Sequence, residues 1–196
     1  MYNRKDYYYK KAKDEGRASR ASFKLEQIQS RYHIIKRGDV VLDLGAAPGS
    51  WMEVVSEIVG DKGFVVGVDL LPLKVKLKTN MQFFQGDLNQ TEEILSHLHQ
   101  TEEVDVVLSD MAPNTSGVAF KDAYLSYELC LKALEAAETL LKSGGNFIAK
   151  IFQGKEVDDF RRELRRHFSK IETYIPPATR VTSKEIYLIA IGYKKS

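Results

Sequence analysis

The sequence holds one cysteine, Cys130, and four histidines in 196 residues. A lone thiol excludes an internal disulfide framework, and histidines scattered around one cysteine offer no zinc-type ligand spacing, so no metal is expected. His97 and His99 read as surface residues. No apolar run approaches the ~20 residues that a membrane-spanning helix requires. The opening stretch, MYNRKDYYYKK, has none of the apolar core of a secretory leader. These absences give a cytoplasmic expectation with no membrane partner. Internal repeats, low-complexity tracts and linkers are also missing, so residues 1–196 are expected to form a single domain. With 43% hydrophobic and 29% charged residues, burial alone can stabilise its core.

The formal net charge of +2 conceals an uneven distribution. Residues 1–37 carry eleven Lys/Arg against four Asp/Glu, and the remainder carries eighteen against twenty-three. A basic N-terminal arm and helix on a mildly acidic body suits a polyanionic partner.

From residue 39 onward, short apolar runs alternate with segments of helical period, the pattern of βαβ units around a parallel sheet. Strands are expected at 40–44, 63–69, 81–85, 104–109, 146–151, 170–175 and 185–193. Val104 to Leu108 and Phe147 to Ala149 are nearly continuous apolar runs, as expected of central strands covered on both faces. A helix over Arg17–Tyr32 precedes the first strand and another follows Ser50. A third, over Lys121–Lys142, carries a core stripe of Tyr124, Tyr127, Leu131, Leu134 and Ala137, and Gly144-Gly145 is expected to end it. The stretch from Pro176 to Lys184 is too short for a crossover helix, so the last two strands should pair antiparallel.

The run Asp43-Leu44-Gly45-Ala46-Ala47-Pro48-Gly49 is a strand entering a glycine-bearing turn before a helix. Such turns lie at the carboxyl edge of an open α/β sheet, where ligands bind. Gly45 and Gly49 admit a ligand close to the backbone. A dinucleotide or phosphate loop fits poorly. The spacing is G-x-x-x-G, Pro48 removes an amide, and Asp43 would repel a phosphate. A cationic sulfonium bearing an amino acid, as in S-adenosylmethionine, suits a carboxylate there better. Asp69 ends the second strand, where an acid can accept ribose hydroxyls, and Asp87 follows the third, within reach of an adenine amino group. Trp51 either packs on the amino-acid end of the cofactor or covers the start of its helix.

At the end of the fourth strand stands Ser109-Asp110-Met111-Ala112-Pro113, beside the expected methyl group. Lys150 ends the fifth strand among apolar neighbours, where an ammonium needs a partner, and Asp110 is the candidate.

These stretches together, SRASFKL, DLGAAPGSW, VDLLP, QGD, SDMAPNTSG, KIFQG and SKEIY, resemble the FtsJ family of heat-shock-type ribosomal RNA ribose 2'-O-methyltransferases over Arg17 to Tyr193. The resemblance implies a Rossmann-like class I methyltransferase fold, with a seven-stranded, mostly parallel sheet, an antiparallel last strand and helices on both faces. It implies a catalytic tetrad of Lys24, Asp110, Lys150 and Glu185, and cofactor contacts at Gly49, Trp51, Asp69, Asp87 and Asp110. The substrate implied is a uridine 2'-hydroxyl in large-subunit ribosomal RNA. Ser50 departs from the second glycine the family often carries. Another RNA such as transfer RNA, or a non-catalytic RNA-binding module, are the alternatives.

With Lys24 in the site, the basic segment gains a role. Arg4, Lys5, Arg17 and Arg20 are expected along the RNA path, with Tyr7, Tyr8 and Tyr9 available for stacking on bases. Arg180 and Lys184 form a second basic edge. Nothing in the sequence demands more than a monomer.

Overall fold

A computed structural model describes residues 4–17, 19–87, 103–180 and 182–195, with side chains from residue 7 onward. Arg4 and Lys5 therefore enter through their backbone alone, and His97 and His99 lie outside the described residues. The chain forms α1 (Arg4–Asp14), α2 (Ala21–Tyr32), β1 (Val40–Leu44), α3 (Ser50–Val59) and, after a single 3₁₀ turn, β2 (Phe64–Asp69) and β3 (Met81–Gln85). It continues through β4 (Val104–Ser109), α4 (Ala119–Leu140), β5 (Leu141–Phe152), α5 (Glu156–His167), β6 (Phe168–Tyr174) and β7 (Glu185–Tyr193).

The seven strands make one sheet in the order β3-β2-β1-β4-β5-β7-β6. β1 to β5 run parallel, and β7 enters antiparallel between β5 and β6. This is the seven-stranded, mostly parallel sheet expected from the sequence. Its order reverses between β1 and β4, so the turns after these two strands border the crevice where such sheets bind ligands. Because side chains alternate across a strand, each central strand feeds two cores. Leu42, Leu44, Val107, Phe147 and Ala149 pack under α4 and α5. Val41, Val65, Val106, Leu108 and Ile148 pack with α2 and α3.

Several boundaries differ from expectation. α2 begins at Ala21 rather than Arg17. α4 ends at Leu140, and Gly144-Gly145 lie inside β5. There the β4–β5 register shifts between Val104 and Val106, and the chain absorbs the irregularity as a bulge. The buried stripe of α4 is Ala123, Ser126, Cys130, Ala133, Ala137 and Leu140, with Leu134 beside it. Small side chains let this helix lie close to the sheet, which turns Tyr124 outward to 52% exposure and leaves Tyr127 edge-on to Phe160. Cys130 is buried, its thiol donates to the Lys150 carbonyl at 3.1 Å, and burial pushes its pKa up to about 12. Among the described residues, no helix is long and apolar enough to cross a membrane.

Two glycines of the β1–α3 turn are required by contact as well as by conformation. Gly45 has φ +77, and a Cβ there would lie 2.7 Å from Met111 Cγ. Gly49 has φ +111, and a Cβ there would lie 2.3 Å from Val75 Cγ2. Val75 belongs to an extended strap whose Lys74 amide donates to the Pro48 carbonyl at 3.0 Å. Ser50, the departure from glycine, is buried and its hydroxyl pairs with that of Ser19 at 2.7 Å, tying α3 to the turn before α2.

Gly49→Ala should destabilise the fold by about 2–4 kcal/mol, combining left-handed strain with overpacking. Gly144→Ala, at φ +81 with nothing within 4 Å of the new Cβ, should cost only the strain, about 1–2 kcal/mol. Urea denaturation of the two variants checks the difference, and equal losses would contradict it.

Candidate active site

One face of the sheet carries nearly all the chemistry. On β1, β2, β4 and β5 the positions that alternate into the α2–α3 core are followed, at the carboxyl edge, by Asp43, Asp69, Asp110 and Lys150. Lys150 lies opposite Tyr187 in the β5–β7 ladder, and Phe152 lies opposite Glu185. Directly opposed residues present their side chains on the same face. The antiparallel entry of β7 therefore brings its first residues against the last residues of β5.

The four expected catalytic residues meet as two pairs. Lys150 Nζ lies 3.0 Å from Asp110 Oδ1 and also donates to the Asp110 carbonyl. Lys24 Nζ, from α2, lies 2.6 Å from Glu185 Oε2. Both lysines are only 5% exposed. A buried ammonium stripped of its carboxylate is costly, on the order of 3–5 kcal/mol, so each pair holds its members firmly in place.

Tyr187, which the sequence reading passed over, links the pairs. Its hydroxyl donates to Asp110 Oδ1 at 2.8 Å, and Lys24 Nζ lies 5.8 Å from its ring centroid. Burial first, then the charge of Asp110, push its pKa well above the ordinary phenol value, so the group remains a donor. The signal that could have found it is period two. Tyr187 stands two residues after Glu185 and must share its face.

Beside this cluster lies a cavity of about 420 Å³ lined by Gly45, Ala47, Asp69, Asp87, Asp110 and Met111, with Leu70, Leu71 and Lys132 at its rim. The structure thus brings together four of the seven expected cofactor positions, Gly45, Asp69, Asp87 and Asp110. Asp69 holds the cavity wall in shape, accepting the Ala47 amide at 2.9 Å and the Leu71 amide at 2.8 Å. Of the remaining three, Gly49 supports the turn from behind, Trp51 is buried in the α2–α3 core, and Asp43 lies beneath the turn. The Trp51 indole N–H donates to the Ala21 carbonyl at 2.9 Å, so this ring covers the start of α3 rather than facing the cavity.

Asp43 also differs from expectation. It is fully buried, away from the cavity wall, and neither carboxyl oxygen has a hydrogen-bond partner among the described residues. Burial first, then Asp110 and Asp69, push its pKa well above the usual carboxylate range. The shift favours the protonated form, a polar floor beneath the turn in place of a fixed negative charge. Among the described residues no group of three His, Cys, Asp or Glu side chains is placed to hold a metal ion.

The basic candidates divide. Arg17 faces Glu26 at 2.7 Å, Glu57 at 3.6 Å and Glu15 at 3.8 Å, so its guanidinium is committed to carboxylates of the body. This departs from the expected RNA contact. Arg20 stands close to Arg180 and Glu185, and its pKa is lowered by burial first and then by Arg180. Two guanidiniums with this little compensation form a site of excess positive charge. Arg180 and Lys184 are exposed. Tyr8 packs on Phe23 with centroids 5.5 Å apart, whereas Tyr7 and Tyr9 stay 44% and 63% exposed. Contacts of the Arg4 and Lys5 side chains lie outside the described residues.

Comparison with known proteins places this geometry. A family profile described as FtsJ-like methyltransferase matches residues 17–193. The chain is 47% identical to ribosomal RNA large subunit methyltransferase E of Desulfatibacillum aliphaticivorans, with 97% of this chain and 91% of that protein covered. A crystal structure of a ribosomal RNA methyltransferase from Plasmodium falciparum superposes with a TM-score of 0.81 at 28% identity, covering 91% of this chain and 99% of that one. Aeropyrum pernix fibrillarin, solved with natively bound S-adenosyl-L-methionine, shares the fold with a TM-score of 0.58 at 18% identity, covering 87% and 74% of the two chains.

The raised pKa of Asp43 makes a signed prediction. Between the ordinary carboxylate pKa and the raised one, the folded chain keeps a proton that the unfolded chain releases, so stability falls as pH rises through that window. Asp43→Asn removes this dependence. Its melting temperature relative to the unsubstituted chain should climb as pH rises above the ordinary carboxylate pKa of about 4. A difference that stays flat with pH would show Asp43 to be ionised in the fold.

Proposed function

The chain belongs to the FtsJ-like methyltransferase family, and on that premise we propose that it is an S-adenosylmethionine-dependent enzyme methylating a uridine ribose 2'-hydroxyl in large-subunit ribosomal RNA. The observation that carries this reading is the adjacency of two structures on one sheet edge. The Lys150–Asp110 and Lys24–Glu185 pairs open beside a cavity lined by Asp69 and Asp87, and Asp110 belongs to both.

The cavity fits the donor by its chemistry. Gly45 and Ala47 keep one wall low, and a Cβ at Gly45 would collide with Met111. Asp69 and Asp87 offer acceptors for ribose hydroxyls and an adenine amino group, and the buried Asp43 beneath the turn adds a polar floor. When bound, S-adenosylmethionine supplies an activated, electrophilic methyl group. Everything else required of the chain is to hold the acceptor and manage its proton. Lys150, held by Asp110 and Tyr187, orients the 2'-oxygen, and Lys24 with Glu185 fixes the opposite side. Orientation of this kind contributes roughly 7–11 kcal/mol to such displacements, and passage of the hydroxyl proton through Lys150 to the Asp110 carboxylate adds about 10²- to 10⁴-fold.

RNA as the acceptor is supported by Arg20, Arg180 and Lys184 bordering the tetrad. A silent RNA-binding module would have no need of two buried ion pairs beside an acid-lined cavity. Since all four tetrad residues come from one chain, a monomer suffices.

The test is transfer of tritiated methyl from S-adenosylmethionine to large ribosomal subunits that lack the modification. Label should appear in alkali-resistant dinucleotides, the signature of a blocked 2'-hydroxyl, and label on a base would defeat the proposal. Lys150→Ala should abolish transfer while cofactor affinity stays within about threefold, because the lost interaction acts on the acceptor. For the RNA border, the double substitution Arg20→Glu with Arg180→Glu should weaken RNA binding and make its dependence on log salt shallower by about two units. An unchanged slope would remove these arginines from the interface.

A further inference from the structure

The turns at 115–119 and 182–185 face each other across a second cavity, of about 280 Å³, that shares Glu185 with the tetrad. We propose that this cavity receives the base carried by the methyl-accepting ribose, an inference that rests on the ribose-methylation reading above and names where its substrate is recognised.

Position argues first. A nucleobase hangs from the ribose carbon next to the one bearing the 2'-hydroxyl, so a hydroxyl held at the tetrad leaves its base in space that touches the tetrad. The acid-lined cavity touches it at Asp110 and is assigned to the methyl donor. The second cavity touches it at Glu185. Phe152 is the cross-strand partner of Glu185 and stands two residues beyond Lys150 on the same strand. The pleat therefore carries an aromatic ring onto the face that holds Lys150, Tyr187 and Glu185.

The lining has the chemistry of a base pocket. Phe152 offers a ring for stacking, which every base can use. Thr115, Thr182 and Ser183 offer hydroxyls to a base edge, and Lys184 stands at the mouth for an adjoining phosphate.

The pocket is also held open by bonds internal to the chain. Asp122 accepts from the Ser116 amide at 2.7 Å, the Ser116 hydroxyl at 2.8 Å and the Gly117 amide at 3.1 Å, which fixes one wall. The opposite wall is fixed by the Gln153 amide donating to the Lys184 carbonyl at 2.8 Å and the Ser183 amide to the Arg180 carbonyl at 2.9 Å. The cavity thus needs no rearrangement to accept a planar ring.

Initial rates of methyl transfer to unmodified large ribosomal subunits test this, together with calorimetric titration of S-adenosylmethionine. Phe152→Leu should lower kcat/KM at least tenfold with cofactor affinity unchanged within twofold, and Phe152→Tyr should stay within threefold of the unsubstituted chain. Ala119→Trp fills the cavity from an exposed position and should lower kcat/KM at least tenfold, which decides the matter if Phe152→Leu fails to fold. Unimpaired transfer by Ala119→Trp, or equal losses in Phe152→Leu and Phe152→Tyr, would overturn the assignment. An unsubstituted chain that transfers nothing to ribose would instead overturn the underlying reading, and this one with it.

Discussion

A lysine ammonium at the end of an apolar strand must be matched by a carboxylate, and the pairing of Lys150 with Asp110 is the contact around which the site is arranged. β5 supplies the lysine because it is central and nearly continuous in apolar residues, which excludes water from its carboxyl end. β4 supplies the acid because it is the parallel neighbour of β5, so both strands end at the same edge. The switch in strand order beside β4 then puts the glycine-bearing β1–α3 turn against the same aspartate. A single residue, Asp110, thereby borders the acid-lined cavity and pairs with Lys150.

Antiparallel β7 extends this constraint. Because it runs against β5, its first residues meet the last residues of β5, and the period-two pleat delivers Glu185 and Tyr187 to the face that already holds Lys150. Lys24 closes the group from α2, which packs on that same face. The buried hydroxyl of Tyr187 keeps its proton and donates to Asp110, so the carboxylate oxygen that faces Lys150 is held from two directions. Under the cofactor turn the opposite choice is made. Asp43 is fully buried near two other acids, and burial first, then their charges, push its pKa up and favour the protonated form.

Much of this was legible in the sequence, for physical reasons. Apolar runs bounded by glycine and acidic residues located all seven strands, and acids at successive strand ends predicted an acid-lined edge. The tetrad was readable only through its resemblance to a family, since residues as distant as Lys24 and Glu185 share no local pattern. What was missed depended on contacts. The buried stripe of α4 is made of small residues, so a reading that weights large side chains chose the neighbouring positions Tyr124 and Tyr127. Gly144-Gly145 signals a chain reversal equally well as a helix end or a bulge within β5. Trp51 and Arg17 have the composition of ligand contacts, but one indole finds the Ala21 carbonyl and one guanidinium finds three carboxylates. No property of the sequence alone announces those partners.

The most direct test is a double-mutant cycle on the single-turnover rate of methyl transfer, joining Tyr187→Phe with Asp110→Asn. If Tyr187 acts through Asp110, its substitution slows the unsubstituted enzyme about tenfold, the scale of a lost hydrogen bond to a charged group, and slows the Asp110→Asn enzyme no further. Two effects that simply multiply would show the residues to act independently, and the account of a single organising aspartate would fail.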